Sequence, residues 1–369
     1  NMIEDEVDYV EQQENPDPDT ALDHLFSESD ELDKISSIEP EKTKDKIVMV
    51  DSINHALSEE LEFNKKMIIY GEDVAGDKGG VFTATRGLTK EHGEDRVFNS
   101  PLAESSIIGT AIGLSVVGYK PVVEIQFGDY IWPAMMQIRN EVATMRYRSG
   151  GNWSCPLVIR VPVGGYIHGS LYHSQSIDGY FAHTPGLKVA YPSNASDAKG
   201  LLKYACRCDD PVLFMEHKGI YRQGFASSME PDENYLLPFG KARIVQEGSD
   251  LTIVTWGAIV QKAVEASRNT GKSVEIIDIR TLNPLDIDTI LNSIKKTNRV
   301  IVAHEDHLTA GFGSEIAAQI SDEGFEYLDA PVKRVASKDV HVAYSPNLEN
   351  EILVQTSWIE KEIEEILTY

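Results

Sequence analysis

The chain has 369 residues, 41% of them apolar, which is enough for two compact domains with sizeable cores. Its net charge of -25 is concentrated at one end, where residues 1–45 hold 16 Asp or Glu against 3 Lys. That balance argues against nucleic acid and anionic membrane as partners, since binding phosphates needs clustered Lys and Arg, and no apolar run approaches the roughly 20 residues that span a bilayer.

The opening NMIEDEVDYVEQQENP carries no basic n-region and no apolar h-region. The expectation is a soluble intracellular protein, cytoplasmic or, in a eukaryote, in the mitochondrial matrix. Cys155, Cys206 and Cys208 show no CxxC spacing and fit a reducing compartment. Residues i and i+2 of a helix point apart, so Cys206 and Cys208 read as ordinary small residues, not as a metal pair.

Residues 1–46 are acidic and poor in apolar side chains, so they cannot bury enough surface to order themselves as a domain and read as a tail or linker. From Ile47 the pattern alternates helix and short apolar strand. Ile53, Ala56, Leu57 and Leu61 form a helix stripe, and MIIY at 67–70 a buried strand running into GEDVA. Further strands are predicted at RVFN near Arg96, PVVEIQF from Pro121, PLVIRVPV from Pro156, KVAYP from Lys188 and PVLFME from Pro211. Helices are predicted at 105–117, 133–147 and 195–206. Such alternation, with near-continuous apolar strands, is the pattern of a parallel sheet covered on both faces. It sets a first domain at 47–224. Residues 225–238 are polar and turn-rich, which suits a connection. A smaller α/β domain, 239–369, follows, with strands from Leu251, Val274, Arg299 and Pro331, helices at 259–267, 285–296 and 314–322, and a closing helix over 348–367.

Parallel sheets place ligands beyond the carboxyl ends of their strands, so the loops after Tyr70, Asn99, Phe127, Val163 and Glu216 are the candidate sites. Glu104 follows the strand RVFN and opens a helix, whose dipole favours its ionised form while burial opposes it. On local grounds alone it reads as a plain helix N-terminal acid. His173 in YHSQS stands in a loop rich in Gly and Ser, and His183 lies ten residues on in FAHTPG. Two histidines in one loop at strand ends point to acid-base work. Tyr130 offers an aromatic face for a flat heterocycle, although a core position is its simpler reading. HEDH at 304–307 resembles a metal cluster but has no distant third ligand of matching pattern, and reads as a strand-end loop at a domain surface. GFGSE at 311–315 could cradle a phosphate before a helix, yet the full dinucleotide fingerprint is not there, nor is a Walker, GxSxG or HExxH sequence.

The segments GEDVAGDKGGVF, RVFNSPLAE, GYKPVVEIQFGDYIWPA, RYRSGG, PLVIRVPVGG, YHSQS, HTPGLKVAYPS, LLPFGKARIVQEG and VEIIDIRTLNPLD run in order through both domains. Together they resemble the beta subunit of the decarboxylating first component of 2-oxoacid dehydrogenase complexes. The resemblance implies a pyrimidine-type, thiamine-diphosphate-binding parallel-sheet domain followed by a transketolase C-terminal domain. It implies that Glu104 hydrogen-bonds the cofactor's pyrimidine N1' atom, that Tyr130 packs on the pyrimidine, and that His173 assists at the substrate or in acyl transfer to lipoamide. His183 matches a family histidine without an assigned role, and no protein metal ligand is implied.

In this family the pyrophosphate and its Mg2+ are held by a GDG motif followed by Asn. This chain contains no GDG, so the resemblance places that half of the site on an alpha half. The segment PDPDTALDHLF at 16–26 is similar to the end of an alpha subunit, which suggests the later part of a fused alpha-beta polypeptide. Further implied partners are a second beta copy and the lipoyl-bearing acyltransferase. YHSQS and GDYIWPA are nearer the branched-chain members, so 3-methyl-2-oxobutanoate is the expected substrate. The alternatives are pyruvate dehydrogenase, more distantly a transketolase or deoxyxylulose-phosphate synthase, and, from another class, a non-catalytic assembly module with the same fold.

Overall fold

A computed structural model describes residues 1–28, 32 and 45–369. Its strands in chain order are β1 Lys46–Ile47, β2 Met67–Gly71, β3 Val97–Asn99, β4 Lys120–Glu124, β5 Val158–Val163, β6 Lys188–Ala190, β7 Val212–His217, β8 Ser228–Met229, β9 Arg243–Gln246, β10 Leu251–Thr255, β11 Val274–Asp278, β12 Thr281–Asn283, β13 Val300–His307 and β14 Lys333–Ser337. A seven-stranded sheet has the order β12-β6-β7-β5-β4-β2-β3 and is parallel except for β12, which runs antiparallel to β6. A five-stranded sheet follows, β14-β13-β10-β11-β9, with only β9 antiparallel. Every residue of β2, β4, β5 and β7 is buried. Helices therefore cover both faces of the first sheet, and only runs such as VIRVPV and VLFMEH, nearly all side chains of which can pack, fit there.

β12 belongs in sequence to the second sheet's part of the chain but completes the edge of the first. Beside it, Arg280 reaches helix Ala195–Arg207 and binds Asp197 through two hydrogen bonds of 2.9 and 2.8 Å. The second half is thus tied to the first through both backbone and buried charge.

Three expectations need correction. The helix expected over 133–147 is broken into a 3-10 turn Trp132–Ala134, a π-turn Gln137–Val142 and an α-turn Met145–Arg148. The Ala143 N–H reaches back five residues to Ile138, and the Ala143 carbonyl lies so close to Gly186 that a Cβ there would sit 2.0 Å away. The single closing helix is two, Pro346–Ile352 and Thr356–Ile366, because Leu353 and Gln355 take extended backbone and the Val354 carbonyl is given to the Tyr166 hydroxyl. HEDH is no surface loop: it ends β13, and His304, Glu305 and Asp306 are buried.

The acidic segment is not featureless either. Met2–Glu11 is a helix with no buried residue, since its few apolar side chains find nothing to pack on. Residues 21–27 lie on the first sheet's body: Tyr147 donates to the Ala21 carbonyl, the Ser27 N–H donates to Asp210, and Lys188 stands over the Phe26 ring. The remainder of the expected linker, 29–31 and 33–44, lies outside the described residues.

Candidate active site

Loops from four parallel strands meet beyond their carboxyl ends. After β2 come Glu72 and Asp73, after β3 Glu104, after β4 Phe127, Asp129 and Tyr130, and after β5 the loop that carries His173. Glu104 is the first residue of helix Glu104–Val116, where the unpaired N–H groups and the helix dipole favour a carboxylate.

Glu72 is buried, and its Oε1 finds no hydrogen-bond partner among the described residues. Burial, then the charges of Glu104 and Asp73, push its carboxyl up to about 7. The Tyr130 hydroxyl is raised as well, by burial and then by Asp129, Glu72 and Glu104. Glu104, Glu72 and Tyr130 therefore share one local field.

Tyr130 Oη and His173 Nε2 lie 2.7 Å apart, and His173 Nδ1 lies 3.2 Å from the Gly169 carbonyl oxygen. A carbonyl only accepts, so Nδ1 carries the proton, and Nε2 accepts from the tyrosine hydroxyl. Phe127 packs edge-on against both rings, with centroids 4.7 Å from His173 and 5.4 Å from Tyr130. Lys218, just past β7, is buried over the Phe127 ring and hydrogen-bonds the Gly164 carbonyl. Burial draws its ammonium down to about 8, against the opposing pull of Asp129, Glu305 and Glu349. Asp129 is shifted upward by burial, with Lys218 the largest influence in the other direction. A pair of acids, a histidine whose Nε2 accepts from a tyrosine hydroxyl and a lysine whose ammonium is destabilised by burial can hold a ring nitrogen and move a proton beside it.

Residues 45–223 match the transketolase pyrimidine-binding domain family, and residues 240–359 the transketolase C-terminal domain family. The 2-oxoisovalerate dehydrogenase subunit beta of Bacillus subtilis (strain 168) is 45% identical over 324 residues, covering 87% of this chain and 98% of the relative. The pyruvate dehydrogenase E1 component subunit beta of the same strain is 46% identical over 302 residues, 81% of this chain and 92% of the relative. This chain belongs to the beta-subunit family of 2-oxoacid dehydrogenases. A mitochondrial 2-oxoisovalerate dehydrogenase subunit beta of Dictyostelium discoideum is 47% identical over 307 residues, 82% of each chain. In fold, the beta-subunit chain also aligns with a solved split-gene transketolase, an inactive beta4 tetramer, at TM-score 0.67 and 22% identity over 87% of this chain and 98% of the other. Among the described residues no helix is long and apolar enough to cross a membrane.

Within this beta-subunit frame the structure joins Tyr130 to His173 and brings Glu104 into the same field, but it sets His183 apart. His183 is exposed and lines another cavity, of about 1070 Å3, together with Arg139, Asp306 and His307; none of Glu104, Tyr130 or His173 lines it. The two histidines of one loop therefore do not form a pair. The N-terminus of helix Phe312–Glu323, which contains most of GFGSE, opens on that second cavity. Sequence reading passed over Glu72, Asp129 and Lys218. The signal was present, since all three lie in or next to loops already marked as strand ends, but their burial sets their chemistry and burial is a tertiary property.

Proposed function

We propose that the chain is the beta part of a thiamine-diphosphate-dependent 2-oxoacid dehydrogenase that acts with an alpha half on 3-methyl-2-oxobutanoate and related branched 2-oxoacids, delivering the acyl group to a lipoyl-bearing acyltransferase. The observation that carries this reading is the convergence of Glu104, Glu72 and the Tyr130–His173 pair at the carboxyl ends of the sheet, in a chain 45% identical to a 2-oxoisovalerate dehydrogenase beta subunit.

The residues fit the pyrimidine half of the cofactor. Glu104 at its helix start would hold the pyrimidine N1' atom and govern its proton, and Tyr130 would flank the ring. The unpartnered Oε1 of Glu72 leaves a buried acceptor beside it for a polar group. When bound, thiamine diphosphate supplies the electron sink for decarboxylation. His173 Nε2, held as an acceptor by the Nδ1 contact with Gly169 and engaged here by the Tyr130 hydroxyl, would take a proton at the substrate by exchanging that partner. The diphosphate and Mg2+ are assigned to the alpha half, where the family's GDG motif lies.

An alpha partner also accounts for the apolar surface along and near the helix that Glu104 opens. Leu102, Val117 and Met136 are exposed, and a largely apolar groove of about 550 Å3 runs along helix Glu104–Val116 between Tyr70, Phe98 and Leu114. A second beta copy completes the proposed assembly. The 46% identity to a pyruvate dehydrogenase beta subunit supports pyruvate as the second reading.

The test is turnover by this chain assembled with the alpha half from its own source, in thiamine diphosphate and Mg2+, comparing 3-methyl-2-oxobutanoate with pyruvate. A preference for the branched acid is expected. A preference for pyruvate moves the assignment to the second reading, and turnover of neither leaves a non-catalytic assembly module.

A further inference from the structure

The loop that carries His173 is held from the other half of the molecule. It begins at Gly164, whose φ of +83° and approach to His217, 2.3 Å from where a Cβ would stand, admit glycine alone. Beyond it three residues with side chains, Tyr166, His168 and Ser170, all take left-handed φ values of 62°, 57° and 65°. Non-glycine residues occupy that region at a cost of order 1–3 kcal/mol each, so surrounding contacts must impose it.

Those contacts come from the C-terminal half. The Gly165 N–H donates to Glu305 Oε1 at 2.6 Å, and the other oxygen of Glu305 lies 2.6 Å from His217 Nε2. The Gly219 N–H donates to His217 Nδ1, so Nε2 is the donor to Glu305 and the bridge from β13 to the loop base has a fixed polarity. Tyr166 donates to the Val354 carbonyl at 2.9 Å. Glu349, on helix Pro346–Ile352, accepts from the His168 N–H at 3.1 Å, and its second oxygen lies 2.6 Å from His168 Nδ1. The next residue, Gly169, supplies the carbonyl that orients the His173 imidazole. Glu305 and Glu349 are both buried, which strengthens their hydrogen bonds and makes them expensive to leave unpaired.

We propose that Glu305 and Glu349 are positioning residues for His173: the two carboxylates of the C-terminal half clamp residues 165–168 in their strained conformation and so set the imidazole against Tyr130. The inference rests on the reading of His173 as a working residue of the site. It gives the C-terminal half a part in turnover, although neither glutamate touches the substrate.

The experiment is a coupling cycle in the fully assembled enzyme with thiamine diphosphate, Mg2+ and 2-oxoacid. Glu305→Gln, Glu349→Gln and His173→Ala are made singly, and each glutamate variant is combined with His173→Ala. Because a displacement of about 1 Å costs on the order of 100-fold in rate, each glutamate variant is expected to lower kcat roughly 10- to 100-fold when His173 is present and by less than about twofold when it is combined with His173→Ala. An undiminished loss after His173→Ala, or no loss in the single variants, overturns the clamp and leaves the reading of His173 standing. Full turnover in His173→Ala alone overturns that reading and the clamp with it. If Glu305→Gln does not assemble, His168→Ala releases Glu349 from the half-exposed side of the loop and enters the same cycle.

Discussion

Glu72 and Glu104 stand in one electrostatic field, and burial falls on Glu72: Glu104 takes the helix start while Glu72 holds its proton up to about pH 7. Unfolded, Glu72 gives up that proton near the ordinary glutamate value of about 4.3. Between those two pH values the folded state binds more protons, so rising pH takes stability away through this group. The melting temperature of Glu72→Gln is therefore expected to gain on that of the natural protein as pH rises from 5 to 8, and parallel curves in thermal scans would contradict the shift. Glu104→Gln keeps the shape but removes the carboxyl group that, under the proposed function, would govern a ring proton. Turnover in the assembled enzyme is expected to fall about 100-fold or more, the usual scale of a lost acid-base group, and unchanged turnover would remove Glu104 from the mechanism. Glu104 was legible in the sequence because a strand-to-helix junction is a local pattern. Glu72 was not, because nothing in GEDVA tells that its carboxyl ends without a partner inside a packed site.

At the scale of one element, helix Ala195–Arg207 shows where a pattern can mislead. Its bounds were readable from the sequence, with Asn194 as the cap accepting from the Asp197 N–H, but its lysines would ordinarily be taken as a solvent face. Instead every residue from Ala195 to Cys206 is buried, Lys199 and Lys203 included. The helix lies between helix Met49–Phe63 and the connection that follows β8, and its ammonium groups are met inside. Glu59 binds both lysines at 2.5 Å, Glu230 and the Pro231 carbonyl bind Lys199, and the Glu233 carbonyl binds Lys203. Removing one partner of a buried pair leaves a charge without compensation, which costs more than the pair ever contributed. Glu59→Ala is expected to lower unfolding stability by about 3 kcal/mol. A loss below about 1 kcal/mol in urea titration would mean that Glu230 and the two carbonyls satisfy the lysines without Glu59.

Across the whole molecule, the succession of apolar strands and helices carried the fold class, two α/β layers in sequence, because each strand announces its own burial. The grip between them was not legible, since it joins residues far apart in the chain: Arg280 to Asp197, Glu305 to Gly165 and β12 to β6. The same geometry bears on what the chain does alone. Glu104, Tyr130 and His173 all stand on loops of one sheet, and the helix that Glu104 opens is flanked by the exposed Leu102 and Val117, the sort of apolar surface that a partner covers. One wall can hold a pyrimidine, but the charged diphosphate and its Mg2+ need their own ligands, and each tenfold of affinity takes about 1.4 kcal/mol of contacts. The isolated chain is therefore expected to bind thiamine diphosphate at least about 100-fold more weakly than the chain assembled with its alpha half, since about 3 kcal/mol of contacts would then be missing. Titration calorimetry on both, at one Mg2+ concentration, decides the matter. Equal, Mg2+-dependent affinity in the isolated chain would place the diphosphate site on this polypeptide, whereas the expected gap would assign it to the partner and explain why decarboxylation requires both.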